Sequence, residues 1–361
     1  MTVLTQDLLD RIRSRAAGYD RDNAFFTEDL DELRAAGYLT PRSLLDTARD
    51  QRLLAAYAPA TALGVNMHHV WVGVARVLAE RGDHSLDWVL EDAAAGELFA
   101  FGVSEPGNDA VLWDSTTVAA PVEGGFTFTG TKIFTSLSPA WTRLGVFGRD
   151  GDTLVHGFIT RDTPGWRSLD DWDTLGMRAT QSHTTVLDGA FVPTSRIART
   201  LPVGPNADPF VFGIFANFLL LIGSVYAGIA DRGLELAVEA VTRRTSIHTG
   251  ESYAQNPDFR WRIADAAIAL DAIAPQLERL AADVDRVVDH GASWFRKLTG
   301  ARHRSTETAR YVIDQAMRSA GGGGYRATGE LARLQRDVLA GIYHPSTAEA
   351  VHSTVAANLL D

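Results

Sequence analysis

The segment DSTTVAAPVEGGFTFTGTKIFTS, residues 114–136, decides the fold class of this 361-residue chain. Threonine and valine alternate with other residues up to a Gly-Gly turn, and a second alternating run follows, which is the pattern of a β-hairpin. Further strand patterns follow in LVHGFITRD (residues 154–162) and HTTVLDGAFVP (residues 183–193), separated by Gly, Pro and Asp turns. We therefore predict a β domain over residues 99–205.

Helical patterns lie on both sides of this β domain. TEDLDELRAAGY, residues 27–38, has acids in its first turn and Gly37 as a stop signal, as helices do. Beyond residue 209 apolar residues recur at helical spacing almost to the end of the chain. We predict an α+β protein with an N-terminal helical domain (1–98), a β domain (99–205) and a C-terminal helical bundle (206–361).

The run FVFGIFANFLLLIGSVYAGIA, residues 210–230, carries no charge and is long enough to cross a membrane. A helix buried on all sides inside a bundle has the same composition. Asn217 lies within the run, no basic segment precedes it and amphipathic helices follow it. We favour the buried helix and expect no membrane partner.

The composition excludes several classes of function. A net charge of −11 without a long basic block argues against a nucleic-acid partner. The absence of cysteine excludes disulfides, thiolate nucleophiles and cysteine-ligated metals. No HExxH pattern or paired-carboxylate spacing occurs, so we predict no metal site. The first 15 residues lack the apolar core of a signal peptide, so we expect a cytoplasmic protein.

Four motifs in register carry a family resemblance. They are FAFGVSEPGNDA (99–110), GTKIFTS (130–136), DTLGMRATQSHTTVLDGAFVPTSRI (173–197), and GGGGY followed by RLQRD (321–337). In this order and spacing they resemble the acyl-CoA dehydrogenase superfamily over nearly the whole chain. The resemblance implies a middle β-barrel and a C-terminal four-helix bundle, with a flavin (FAD, or FMN as reduced flavin) between them.

The resemblance also implies which residues contact the flavin. Those in the same subunit would be Phe101, Val103, Ser104, Phe134, Thr135 and Ser136. A neighbouring subunit would reach the dinucleotide end through Arg243, with Arg244 close behind, and through Gly321 and Gly322. A homo-oligomer, dimer or tetramer, is therefore expected. The family's Arg-x-x-Phe-Gly pattern is replaced here by RRTSIHTG (243–250), which leaves open tightly held FAD or a visiting reduced flavin.

The chain departs from the dehydrogenases at their proton-abstracting glutamate. When this chain is aligned with the family from RLQRD onward, the segment YHPST (343–347) has Pro345 at the position of the glutamate. The other place at which relatives carry it falls at Phe218, in a run without acids. In lacking this glutamate, the chain resembles the reduced-flavin monooxygenases, such as those similar to dibenzothiophene and 4-hydroxyphenylacetate hydroxylases. These enzymes take reduced flavin from a separate reductase and use O2.

Within that branch the resemblance implies catalytic candidates. His344 would steer the activated oxygen or take a substrate proton, because imidazole titrates near neutral pH. His68 or His69 would supply a second imidazole, and Ser136 would hydrogen-bond the oxygen. Two alternatives are that His344 only ends a helix and that Glu349 is a displaced base.

Three functions remain open from the sequence. The first is a reduced-flavin, O2-dependent monooxygenase acting on a small molecule. The second is FAD-dependent α,β-dehydrogenation of an acyl-CoA or acyl-carrier thioester, with an electron-transfer flavoprotein as partner, and the third is an inactive assembly partner. Trp71, Trp113 and Phe215 are candidates for lining the substrate pocket.

Overall fold

The N-terminal part of the chain is helical. The computed structural model describes residues 2–360. Its first five helices are α1 (Gln6–Asp22), α2 (Thr27–Ala35), α3 (Leu44–Ala55), α4 (Pro59–Ala79) and α5 (Asp87–Ala94). The side chains of Thr5 and Ser43 accept hydrogen bonds from the first turns of α1 and α3, which fixes where those helices begin. α4 is buried along almost its whole length.

Eight strands follow in one sheet. They are β1 (Phe99–Gly102), β2 (Val118–Val122), β3 (Gly125–Thr135), β4 (Arg143–Asp150), β5 (Thr153–Thr160), β6 (Trp166–Ser168), β7 (His183–Pro193) and β8 (Ile197–Pro202). The strand order is β6-β7-β3-β2-β4-β5-β8, and β1 pairs in parallel with β4. The predicted hairpin is the antiparallel β2–β3 pair, which turns at Glu123–Gly124 with a positive φ of 80° at Gly124.

The sheet curls, so that strands distant in its order meet. A Cβ atom built on Gly157 of β5 would lie 2.8 Å from the side chain of Val192 in β7. Three strands separate β5 from β7 in the sheet. Glycine at this position permits the close approach, because any side chain would need the space that Val192 fills.

Six α-helices follow the sheet within the described residues. They are α6 (Pro209–Thr242), α7 (Pro257–Asp271), α8 (Ile273–Asp285), α9 (Ser293–Ala320), α10 (Glu330–Leu339) and α11 (Ala348–Leu360). The sequence pattern favours one helical run from 259 to 290, but the structure breaks it after Asp271. Pro275 explains the break, because it lacks the N–H that would bond the carbonyl of Asp271. The α+β class and the order helices, sheet, helices are confirmed.

The long apolar helix α6 is the centre of the bundle. It is long and apolar enough to cross a membrane, but 83% of its most apolar window is buried inside the protein. It packs against α3, α4 and α9, which enclose it. This is the environment of a core helix in a soluble protein.

Candidate active site

The two predicted flavin-binding stretches lie side by side. The backbone N–H of Ile133 donates to the carbonyl of Ser104 over 2.9 Å, which joins the end of β3 to the chain that leaves β1. Val103 is buried, whereas Ser104 is partly exposed. The structure thus brings together the stretches Phe101–Ser104 and Phe134–Ser136, which the family resemblance assigns to one flavin.

Phe134 presents an exposed aromatic ring at this junction. Its backbone is left-handed (φ 59°), and 55% of the residue is exposed, whereas the next residue, Thr135, is fully buried. Trp172 stands edge-on to the ring, with centroids 6.2 Å apart. An exposed, conformationally strained aromatic beside polar groups fits a platform for a flavin ring, because the ring would cover apolar surface that otherwise faces water.

Hydroxyl groups adjoin this platform. Ser136 Oγ lies 2.8 Å from Ser182 Oγ, which lies 2.7 Å from Thr180 Oγ1, and Thr180 donates to the carbonyl of Met177. Thr135 is fully buried, and its Oγ1 has no partner within residues 2–360. These groups could meet the polar edge of an isoalloxazine ring, so the residues present fit a flavin.

A buried ion pair that sequence reasoning missed holds both stretches. Glu105 directly follows the first stretch, and Lys132 lies two residues before Phe134. Both are almost completely buried, and they pair with each other. Lys132 Nζ also donates to the carbonyl of Phe147 (2.7 Å) and lies 4.2 Å above its ring. Burial lowers the pKa of Lys132 to about 8, against the opposing effect of Glu105.

Glu105 also gathers the loop that follows it. Its carboxylate accepts hydrogen bonds from Asn108, Ser115 and the backbone of Thr116 and Thr117. Although burial opposes it, the attraction of Lys132 together with these hydrogen bonds lowers the pKa of Glu105 to about 2. The Ser-Glu-Pro motif contained the signal, since a glutamate next to a predicted buried strand requires a partner.

Aromatic contacts connect the sheet to the bundle. Phe101 stacks on Phe218 of α6, with centroids 5.8 Å apart, and packs against Trp71. Trp71 itself is a core residue, since it is 2% exposed and donates to the carbonyl of Ala100, so it does not line a pocket. The other two pocket candidates, Trp113 and Phe215, are partly exposed and stack on each other at 5.7 Å.

The corner between α10 and α11 is organised by Arg302 of α9. Arg302 is 2% exposed, and its Nη2 donates to the carbonyls of Gly341 (2.6 Å) and His344 (2.8 Å). A guanidinium at the end of a helix satisfies carbonyls that lack partners within the helix. The helix-end role considered for His344 is therefore filled by Arg302.

His344 is held at this corner as a neutral imidazole. Its Nε2 is buried and has no partner in the described part of the chain, and its ring lies 5.9 Å from that of Tyr226. Burial, and then the charge of Arg302, lower the pKa of His344 to about 3. The alternative base Glu349 is exposed, and hydrogen bonds, first to its own backbone and then to Thr347, lower its pKa.

The structure corrects the role expected of His68. Its Nε2 lies 2.7 Å from the carbonyl of Leu39, and its Nδ1 accepts from the N–H of Phe99. Both ring nitrogens are thus occupied by backbone, so His68 joins the helical domain to β1 and cannot act on a substrate in this arrangement. Burial lowers its pKa to about 4.

His69 points to a different neighbourhood from His344. It is 4% exposed and packs edge-on against Tyr38 at 4.9 Å, whereas His344 lies against Tyr226. The Nε2 of His69 is buried without a partner among residues 2–360. Within residues 2–360 the ring contacts of His69 and those of His344 share no residue, so a joint role of the two imidazoles stays a prediction.

The residues expected to reach a neighbouring subunit lie at one end of the bundle. Arg243 is 77% exposed in its side chain and pairs with Glu239. Arg244 instead turns inward and donates to the carbonyls of Ser319 and Ala320, next to Gly321. Gly322 is exposed with open space around it, so this end is free to meet another molecule.

Known proteins resemble this chain both in its C-terminal part and over nearly its whole length. Residues 220–349 match the family model for the C-terminal domain of acyl-CoA dehydrogenases. The putative acyl-CoA dehydrogenase YdbM of Bacillus subtilis is 27% identical, over 98% of this chain and 95% of the relative.

Relatives whose names describe the oxidation of an amine nitrogen have about the same sequence identity to this chain as YdbM has. The amino sugar nitrososynthase RubN8 of Streptomyces rubradiris is 27% identical over 94% of this chain and 84% of its own. The isobutylamine N-hydroxylase of Streptomyces viridifaciens is 28% identical over 88% and 85%. The solved structure of KijD3 with FMN and a dTDP-linked amino sugar superposes with a TM-score of 0.84 at 26% identity, over 98% of this chain and 91% of that one. Over nearly its whole length the chain is similar to the acyl-CoA dehydrogenase superfamily of oxidoreductases, and the relatives it resembles include flavin-dependent oxygenases as well as dehydrogenases.

Proposed function

We propose that this protein is a reduced-flavin, O2-dependent monooxygenase that oxidises the nitrogen of an amine. One observation carries the proposal: the segment that joins α10 to α11, residues 340–347, presents a neutral imidazole and contains no carboxylate. The similarity to the nitrososynthase RubN8 and to the isobutylamine N-hydroxylase supports an amine nitrogen as the atom that is oxidised.

The corner is poorly suited to dehydrogenation of a thioester. That reaction removes a proton from carbon, which needs a base whose conjugate acid has a pKa near the working pH. With a pKa of about 3, His344 is too weak a base. Glu349 is exposed and has a lowered pKa, so it is no substitute.

The same corner suits an oxygenase. A bound reduced flavin would supply the two electrons that activate O2. Phe134 would cover one face of its ring, and Ser136 with Ser182 would hydrogen-bond its polar edge. His344 stays uncharged near neutral pH, so it can hydrogen-bond the substrate without losing or gaining a proton. FAD or FMN would come from a separate reductase.

A second candidate function is FAD-dependent dehydrogenation of an acyl thioester. The similarity to YdbM favours it, because it extends over almost the full length of both chains. In either function we expect a homo-oligomer, whose neighbouring subunit would meet the exposed end formed by Arg243 and Gly322.

Anaerobic spectroscopy separates the two candidates. The protein is loaded with oxidised FAD and mixed, without oxygen, with saturated acyl-CoAs of increasing chain length. We expect the yellow flavin absorbance to persist with every acyl-CoA. Reduced flavin and air should instead give amine-dependent formation of a hydroxylamine. Bleaching of the flavin with release of an enoyl-CoA would overturn the monooxygenase proposal.

A further inference from the structure

Four buried polar groups without partners lie on residues that pack around the α10–α11 corner. They are Tyr226 OH, Arg302 Nε, Thr306 Oγ1 and His344 Nε2, and none has a hydrogen-bond partner among residues 2–360. Tyr226, Arg302 and Thr306 are exposed by 0%, 2% and 1%.

Gly341 lies between the residues that carry these four groups. A Cβ atom built on it would lie 2.5 Å from Thr306 Cγ2 and 2.9 Å from Tyr226 Cε1. Arg302 bonds its carbonyl, and the ring of His344 adjoins that of Tyr226. We call these four side chains the corner cluster. Its members come from α6, α9 and the corner itself, so the fold assembles it from distant parts of the sequence.

Unpartnered groups at this density require an explanation. Each buried donor or acceptor left without a partner costs about 1–3 kcal/mol, and at least 90% of such groups in native proteins are satisfied. Four at one place point to a partner from outside the chain, either ordered water or a ligand.

The chemistry of the corner cluster selects the kind of ligand. Arg302 Nε can only donate, the two hydroxyls can donate, and His344 Nε2 donates in the tautomer that carries hydrogen there. Within residues 2–360 Arg302 forms no ion pair, and its hydrogen bonds go to two neutral carbonyls. The nearby Glu307 pairs with Arg310 instead, and the buried carboxylate of Asp337, which also acts on Tyr226, accepts the N–H of Met177. A buried positive charge among donors favours an anionic acceptor.

We infer that the corner cluster binds the carboxylate of the substrate. The inference rests on the proposed function and narrows its substrate class to amines that also carry a carboxylate, such as amino acids. Arg302 would act both as the cap of the corner and, through Nε, as the cationic contact of the ligand, while Tyr226 and Thr306 would bond the carboxylate oxygens.

A binding test needs no turnover. The melting temperature is measured in increasing butyrate and, at equal ionic strength, in butylamine, for the wild type and the double variant Tyr226→Phe/Thr306→Val. We expect butyrate to raise the wild-type melting temperature and butylamine to leave it unchanged. The double variant should fold as well as the wild type, since neither hydroxyl bonds the protein, and should lose the butyrate shift.

Ser305→Ala is the matched control. Ser305 precedes Thr306 on α9, but its hydroxyl donates to the carbonyl of Gly223 over 2.5 Å. We expect this variant to melt at a lower temperature and to keep the butyrate shift. If butyrate has no effect on the wild type, or the shift survives in the double variant, the corner cluster holds ordered water only and the inference is overturned.

Turnover separates this inference from the proposed function. Leucine and 3-methylbutylamine, which differ by the carboxylate, are compared as substrates with reduced FMN and O2. We expect kcat/KM to favour leucine by about tenfold or more, and the ratio to approach one in the double variant, since a hydrogen bond to a charged group contributes about 1.5–3 kcal/mol. Equal use of both amines by the wild type would overturn the carboxylate site and leave the monooxygenase standing. Oxidation of neither amine, with the butyrate shift intact, would support the anion site and count against amine oxidation.

Discussion

Two buried polar regions flank the candidate active site, and they differ in completeness. At the Glu105–Lys132 pair, the carboxylate has five hydrogen-bond donors, and the ammonium bonds both Glu105 and Phe147. In the corner cluster around Gly341, four polar atoms have no partner among residues 2–360. The contrast teaches that the polar groups of the first region find all their partners within the protein and hold the fold together. Those of the second region need a bound molecule as their partner.

The largest expected effect comes from breaking the complete region. Lys132→Met leaves Glu105 charged and buried without its cation, so we expect a loss of about 3–5 kcal/mol in the free energy of unfolding. Urea denaturation measures it. The double variant Glu105→Gln/Lys132→Met should recover most of the loss, because no uncompensated charge remains. A loss below about 1 kcal/mol for the single variant would show that the pair is not the scaffold described here.

The next effect concerns the neutral imidazole of His344. Because its pKa falls to about 3 in the fold, from 6.5 in the unfolded chain, the unfolded chain binds more protons between these values. Stability therefore falls as pH decreases through this window. We expect His344→Gln to reduce the slope of unfolding free energy between pH 4 and 6 by about 1.4 kcal/mol per pH unit.

His156 is the matched comparison for this pH effect. It lies in the sheet, stacked on Phe147, and burial lowers its pKa to about 3 as well. His156→Phe should therefore reduce the slope by a similar amount. If only the sheet variant changes the slope, His344 is charged or solvated in the folded protein and the neutral corner is wrong.

Phe134→Ala tests the flavin platform with a smaller effect. Because the ring is 55% exposed, its loss should change the melting temperature little. The dissociation constant for FMN, followed by fluorescence quenching, should rise by about two- to tenfold, as expected for a stacked aromatic contact of about 0.5–1.5 kcal/mol. An unchanged FMN affinity would show that the flavin does not bind against Phe134.

The smallest effect on stability is expected at the corner itself. Tyr226→Phe removes a buried hydroxyl that bonds nothing in the chain, so the free energy of unfolding should stay equal or rise by up to about 1 kcal/mol. Turnover should fall at the same time. A clear loss of stability would show that this hydroxyl has a partner within the protein. The two regions would then not differ in the way described.

Local patterns predicted most of the fold. The β2–β3 hairpin and the buried α6 follow from alternation and composition, and the family resemblance implied that residues 101–104 and 134–136 meet at one flavin site. The corner cluster was not predictable, because Tyr226, Arg302 and His344 come from segments far apart in sequence. His68 was misjudged for the same reason: its backbone partners Leu39 and Phe99 are set only by tertiary packing.

The most direct test of the central claim is the origin of the oxygen in the product. Reduced FMN, an α-amino acid panel that includes leucine, and ¹⁸O-labelled O2 are mixed with the protein, and the products are analysed by mass spectrometry. The account predicts a hydroxylamine that carries one labelled oxygen, with the second oxygen atom released as labelled water. Amine products without label, together with enoyl-CoA formation from an acyl-CoA under anaerobic conditions, would contradict it.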